Sequence, residues 1–306
     1  MAGGVALNCV ANGKLLRAGI FDDIWIQPAA GDAGGALGAA LAVWHEALDN
    51  PRSVDGADMM QGALLGPRFS ADNIRAWLDS NGYVYEELDD ARWADTIAEI
   101  LANEQVVGLM QGRMEFGPRA LGCRSIIGDA RSPKMQSVMN LKIKHRESFR
   151  PFAPSCLEER LSDFFDIDRP SPYMLLVAPV KAERCIAPQG DEGDLDIKDR
   201  VNRPRSDVPA ITHVDYSARV QSVSRQTNPR YHAIIKAFEA RTGYGIVINT
   251  SFNVRGEPIV CSPEDAFRCF MRTDMDFLVL ENFLLRKTDQ PSWDDKAVWR
   301  ETFVLD

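Results

Sequence analysis

The stretch that decides the fold is PRYHAIIKAFEARTGYGIVINTSFN, residues 229–253. It predicts a helix from Pro229 to Arg241, stopped at Gly243, and then a hydrophobic strand over Ile246–Asn249. The strand runs directly into Asn249, Thr250, Ser251 and Asn253. A buried core rarely spends so many hydroxyl and amide side chains in a row unless something must be hydrogen-bonded. Proteins of the α/β class place ligands at such strand ends.

Working outward, the same alternation continues. Ser70 is a good N-cap for a helix closing at Gly82, and a second helix spans roughly Asp90 to Asn103. Strands are expected at 106–110, 173–180, 210–214 and 218–222, with Phe149–Leu157 extended and a last strand over Phe277–Leu285. Helices are expected at 132–141 and 158–165, and a capped one opens at Ser262-Pro263. The charged segment 181–208 reads as a surface insertion. The first fifty residues read as a helix over Val5–Leu16, a short strand at Ile24–Ile26, a glycine loop and a helix over Ala36–Leu48. Residues 51–69, polar and irregular, read as a linker. The sum is an α/β protein, a sheet with helices packed on it.

Composition limits the function. Hydrophobic residues make up 45% and charged residues 26%, the balance of an ordinary soluble globular protein, and no apolar run is long enough to span a membrane. The opening residues lack the pattern of a secretory signal, and the six scattered cysteines form no C-x-x-C pair. A cytoplasmic protein with reduced thiols is therefore expected. A net charge of −9 argues against a nucleic-acid partner. Yet Arg113, Arg119, Arg124, Arg131, Lys134, Lys142, Lys144, Arg146 and Arg150 crowd into one stretch set among few acids, which suits a small anionic ligand.

Five motifs carry the chemistry. Gly3-Gly4, leading into a helix through Asn8, lets backbone N–H groups approach an anion, or is plain turn chemistry. Such a turn needs a strand feeding it, so the supporting sheet is expected upstream of Met1 and the chain to be truncated at its N-terminus. Gly31-Asp32-Ala33-Gly34-Gly35 offers one carboxylate among small residues, for a hard metal or as a helix cap. Arg113, Arg119 and Arg124 punctuate a Gly/Pro loop in which Glu115 is placed to pair with one of them. Arginine's planar fork grips phosphate or carboxylate. Residues 142–154, if extended, put Lys144, Arg146, Ser148 and Arg150 on one face as a ladder of cations; a solvated edge strand has the same pattern. The fifth motif is the polar strand end at 249–253.

Taken in order, GGVALN, GDAGGALGAA, GRMEFGPRALG, KIKHRESFRPFAPS, PAITHVDYSARVQSV and NTSFNVRGEPIVCSPEDA closely resemble the NodU/CmcH family of O-carbamoyltransferases over essentially the whole chain. The resemblance implies the C-terminal fragment of an actin/Hsp70-like transfer domain at 1–50, a linker at 51–69, and a YrdC-like domain at 70–306. The YrdC-like domain would be a twisted mixed sheet with packed helices that makes carbamoyl adenylate from carbamoyl phosphate and ATP. Carried over word by word, Arg113, Lys144, Arg150, Arg219 and Ser251 would act on the phosphorylated substrates. Gly3, Gly4, Asn8, Gly31, Arg119, Arg124, Arg146, Asn249, Thr250 and Asn253 would bind substrate or ATP, and Asp32 would be a metal ligand. Implied with these are ATP with Mg, an iron or other divalent metal in the transfer domain, and a small-molecule hydroxyl as acceptor. An upstream-encoded N-terminal lobe is the implied protein partner, and a homodimer the assembly considered.

Two departures stand out. The family's His-x-x-x-His pair is absent, and His45, His145, His213 and His232 have no ligand spacing and read as ordinary residues. Cys123 stands where asparagine is expected, either neutral or oxidation-sensitive if its thiol is exposed. Two other readings stay open. One is a threonylcarbamoyl-type tRNA-modification protein, which requires salt-sensitive tRNA binding. The other is a non-catalytic nucleotide-binding remnant that docks on a partner lobe.

Overall fold

The computed structural model describes residues 1–54, 56, 58–187, 196 and 203–293. Its centre is a mixed nine-stranded sheet. The strands are β1 (Glu86–Glu87), β2 (Val107–Met110), β3 (Arg124–Gly128), β4 (Ala153–Leu157), β5 (Leu176–Pro179), β6 (Ser217–Val223), β7 (Ile246–Ser251), β8 (Phe277–Leu280) and β9 (Phe283–Arg286). They lie in the order β1-β9-β8-β2-β3-β7-β4-β6-β5. Only β2/β8 and β4/β6 run parallel; the other neighbours are antiparallel.

Among the described residues eight α-helices accompany the sheet: α1 (Cys9–Arg17), α2 (Asp32–Ala42), α3 (Ala71–Asn81), α4 (Asp90–Ala102), α5 (Met135–Val138), α6 (Leu161–Phe164), α7 (Pro229–Thr242) and α8 (Pro263–Arg272). Alternating strand residues divide the core in two. Val107, Leu109 and Val247 pack with Trp93, Ile97 and Leu101 of α4 and with Ile234, Ile235 and Phe238 of α7. Met110, Ile246 and Ile248 pack with Ile74 and Leu78 of α3 and with Phe267 and Phe270 of α8. Each large apolar side chain so buried contributes about 2–3 kcal/mol. The helix ends follow the caps read from sequence. The Ser70 side chain accepts from Asn73 N, Gly82 closes α3 with φ 66°, and Ser262 with Asp265 forms a reciprocal capping box at α8.

Several expected elements differ. The first helix starts at Cys9, because the Asn8 side chain caps it by accepting from Ala11 N, and Gly4–Leu7 is a separate 3-10 turn. Residues 24–26 form no strand: the Trp25 carbonyl accepts from the N-terminal ammonium and no ladder follows. The second helix begins earlier, at Asp32, and changes to a wider turn over Val43–Ala47. The expected helix 132–141 is short, α5 giving way to a wide turn over Met139–Ile143. The expected strand at 210–214 is a 3-10 turn over Pro209–Ile211, since Pro209 has no N–H to give a ladder. The last strand is two, folded into a hairpin at Glu281 (φ 51°). Of the insertion 181–208, residues 188–195 and 197–202 lie outside the described residues; at its ends Cys185 pairs with Ser206.

What positions the site is α1 against the edge strand β5. Gly13 lets the helix approach, since a Cβ there would fall 2.2 Å from the Val177 carbonyl oxygen. Arg17 Nη1 donates to that same oxygen at 2.7 Å, and Asn12 Nδ2 to Leu175 O at 3.1 Å. The edge is thereby covered. By contrast, α2 has no buried residue at all. No described helix is long and apolar enough to cross a membrane.

Candidate anion-binding site

A cavity of about 250 Å³ opens where α1, β6, the end of β7 and the segment entering β4 meet. Arg146, Arg150 and Arg219 reach it, with Thr250, His213 and Cys9 beside them. Among the described residues no carboxylate lines it. Three guanidinium groups in one small space repel each other, and their fields converge on whatever anion enters.

Each arginine is placed by local structure. Arg219 comes from β6, directly opposite Val177 of β5. Burial lowers its pKa, and Arg119 adds to this while Cys9 opposes it. Arg146 and Arg150 sit on an irregular loop held by Asn140, a fully buried residue. Asn140 Oδ1 accepts from Arg146 Nε at 2.6 Å, and its Nδ2 donates to the Ser148 and Arg150 carbonyls at 3.0 and 2.8 Å. Arg146 also lies over the Phe152 ring, 4.9 Å from its centroid. Burial, then Arg150 and Arg219, pull its pKa to about 10. Arg150 is half exposed and pairs with Glu147 at 2.9 Å.

Lys144 does not open onto the cavity. Its ammonium donates to the Ser251 carbonyl, to Ser251 Oγ at 3.2 Å, and to Asn253 O and Oδ1 at 2.9 Å each. Ser251 Oγ in turn donates to Asn253 Oδ1 at 2.7 Å. Burial draws the Lys144 pKa down to about 7, against four oxygens that favour the ammonium. Lys144 thus locks the turn that follows Thr250, one residue from the cavity wall.

The structure corrects several sequence expectations. Residues 142–152 are not a strand: a wide helical turn ends at Ile143 and His145 has φ 48°, so no alternating ladder of cations exists. The three arginines of the glycine loop separate. Arg124 is fully buried, and its guanidinium donates to the carbonyls of Gln111, Gly112, Cys123, Pro67 and Cys261, away from the residues that line the cavity. Arg113 is exposed, donates to Gly66 O at 3.1 Å, and is not among the residues around the cavity. Arg119 Nη2 donates to Leu7 O at 3.1 Å, while its buried Nε has no partner.

Glu115 pairs with none of them. Its Oε1 accepts from Leu121 N and Cys123 N at 2.7 Å and from Arg124 N at 3.3 Å, folding the loop around a buried carboxylate. Gly122, at φ 109°, makes that fold possible, since a Cβ there would strike Tyr231 at 2.2 Å. Asn249 is likewise internal, donating to Ala120 O and to Gln221 Oε1. The Cys123 thiol is 1% exposed, and burial with nearby Glu115 pushes its pKa well up, so it is no oxidation-sensitive surface spot.

At the N-terminus, Gly3 and Gly4 are exposed, Asn8 is a helix cap, and Gly31 is the backbone cap of α2. Asp32 is exposed in the first turn of α2. Among the described residues no group of three His, Cys, Asp or Glu side chains is placed to hold a metal. A single exposed carboxylate does not by itself make a divalent-ion site. The residues that sequence reasoning missed are His213, Cys9 and Asn140. The signal for Asn140 was present, an amide set between the apolar residues Val138-Met139 and Leu141. A larger, mostly apolar cleft of about 840 Å³ lies between Trp25, Leu41 and Tyr173, and none of the expected site residues line it.

The family model described as "Carbamoyltransferase C-terminus" matches residues 98–287, and "Carbamoyltransferase N-terminus" matches residues 1–41. An uncharacterized protein of Synechocystis sp. is 59% identical over 308 residues, covering 100% of this chain and 50% of that protein. Nodulation protein NolO of Bradyrhizobium diazoefficiens is 46% identical, over 94% of this chain and 49% of its own length. Nodulation protein NolNO of Sinorhizobium fredii is 43% identical, over 94% and 39%. The chain spans about half the length of the first two. The crystal structure of full-length HypF in its phosphate- and nucleotide-bound form matches with a TM-score of 0.39 at 16% identity, over 68% of this chain and 22% of that one, too slight a likeness to bear on the site.

Proposed function

The chain belongs to the carbamoyltransferase family, and from that premise we propose that its arginine-lined cavity forms carbamoyl adenylate from carbamoyl phosphate and ATP. The carbamoyl group would then pass to a hydroxyl of a small-molecule acceptor, the new C–O bond forming as the bond to AMP breaks, with AMP and the hydroxyl proton released. The observation that carries this reading is the convergence of Arg146, Arg150 and Arg219 on one cavity with no carboxylate among the described residues that line it.

The chemistry needs positioning more than a side-chain nucleophile. Water cleaves carbamoyl phosphate to carbamate and inorganic phosphate. A carbamate oxygen then attacks the α-phosphorus of ATP, a new P–O bond forms as the bond to pyrophosphate breaks, and pyrophosphate leaves. Fixed guanidinium groups offset the repulsion between the two anionic substrates and stabilise charge developing at the transferring phosphorus. In this reading Thr250 supplies a hydroxyl at the wall, and Lys144 acts by holding Ser251 and Asn253 in place.

The test is pyrophosphate release from the purified chain, required to depend on both carbamoyl phosphate and ATP. Arg219→Ala should lower the rate by about tenfold or more, with an unchanged thermal melt. Turnover that survives this substitution intact, or needs only one of the two substrates, defeats the reading. Tight ATP binding with no pyrophosphate release would favour a non-catalytic nucleotide binder.

A further inference from the structure

His213 stands among the cavity's cations and has no part in the scheme above. It precedes β6, and its backbone N–H donates to Ser217 O at 2.8 Å, which fixes the turn that aims it. Around it are Arg219 on β6, Asp215 in its own turn, Arg146 and Arg150 from the loop across the cavity, and Cys9 from α1. The Asp215 carboxylate is already engaged by Ser217, accepting from Oγ at 2.6 Å and from N at 3.2 Å.

Of the described side chains lining the cavity, the imidazole is the one whose ordinary titration lies near neutral pH. The guanidinium groups stay charged at any working pH. Burial and the neighbouring Arg219 hold the free imidazole neutral, with Asp215 opposing. A phosphoryl dianion entering the same space reverses the sign of that local field.

We propose that His213 takes up a proton from solvent when a phosphorylated anion enters the cavity, adding a further positive charge only while the anion is bound. This rests on the proposed function, since it takes the cavity to be the phosphate-binding part of that site. The consequence is a site that grips its phosphorylated ligand more firmly at low pH and releases product more readily as pH rises. A permanent additional cation would hold the product equally well at both. His213 is on this view a positioning residue for charge, not a nucleophile or a base.

Pyrophosphate is the probe. The chain has four histidines, so the ring signals of isotope-labelled protein are few, and His213→Gln identifies the one of interest. The His213 midpoint is expected below the usual ~6.5 in the free protein, and to rise by about one pH unit or more with saturating pyrophosphate. The ratio of pyrophosphate affinities at pH 6 and pH 8 should then be up to about tenfold greater in the wild-type chain than in His213→Gln. The comparison cancels the titration of pyrophosphate itself. His213→Arg, charged at both pH values, should give the same ratio of affinities at pH 6 and pH 8 as His213→Gln. A midpoint unmoved by bound pyrophosphate, or one pH profile shared by wild type and His213→Gln, overturns this inference alone. If neither pyrophosphate nor carbamoyl phosphate binds to any of these proteins, the proposed function falls with it.

Discussion

Two arginine-bearing loops look alike in the sequence and do opposite things in the fold. The loop at 111–124 is built inward, with Arg124 buried and donating to five backbone carbonyls and Glu115 gathering three backbone N–H groups. The segment at 144–152 is built outward, with Asn140 gripping its backbone so that Arg146 and Arg150 reach the cavity. An arginine whose donors are satisfied by its own chain is architecture. One held by its backbone, with its head left toward a cavity, is available to a ligand.

Substitutions can break or sharpen that contrast. The largest effect is expected at Arg124, where alanine strands several buried carbonyls and leaves a cavity. The cost should be about 3–5 kcal/mol, read as a large drop in melting temperature. A variant that melts like wild type would remove the distinction between the loops. Arg150→Ala should come next and in a different currency, a several-fold fall in pyrophosphate release with stability within about 0.5 kcal/mol, because its exposed pair with Glu147 contributes little. Equal losses in activity and stability would place Arg150 with the inward loop. The smallest effect belongs to Arg113→Ala, whose exposed side chain makes one bond to Gly66 O; turnover within about twofold of wild type is expected. A tenfold loss there would return the glycine loop to the site.

Much of the scaffold was legible because its signals are local. Ser70 and Gly82 bracket α3, Gly243 stops α7, and Ser262 opens α8, since capping depends on groups three or four residues apart. The cases that failed had weak or divided local signals. Ile24–Ile26 is apolar, yet Trp25 is 66% exposed and no strand forms. The long run at 277–285 conceals a tight reversal at Glu281, a residue with no glycine or proline to announce it. Around the cavity, Arg219 and Thr250 lie within motifs visible in the sequence, whereas His213 has no ligand spacing to mark it and Cys9 lies on a helix that meets β5 about 170 positions further along the chain.

By itself the sequence determined the α/β class, most element positions, the family, and the concentration of cations between Arg113 and Arg150, because patterning and motif are properties of neighbours along the chain. Only the tertiary structure decided which cations serve the cavity. A guanidinium is spent or left available according to the carbonyls that distant segments bring to it, and those segments meet only when β7 inserts between β3 and β4 and α1 closes over β5.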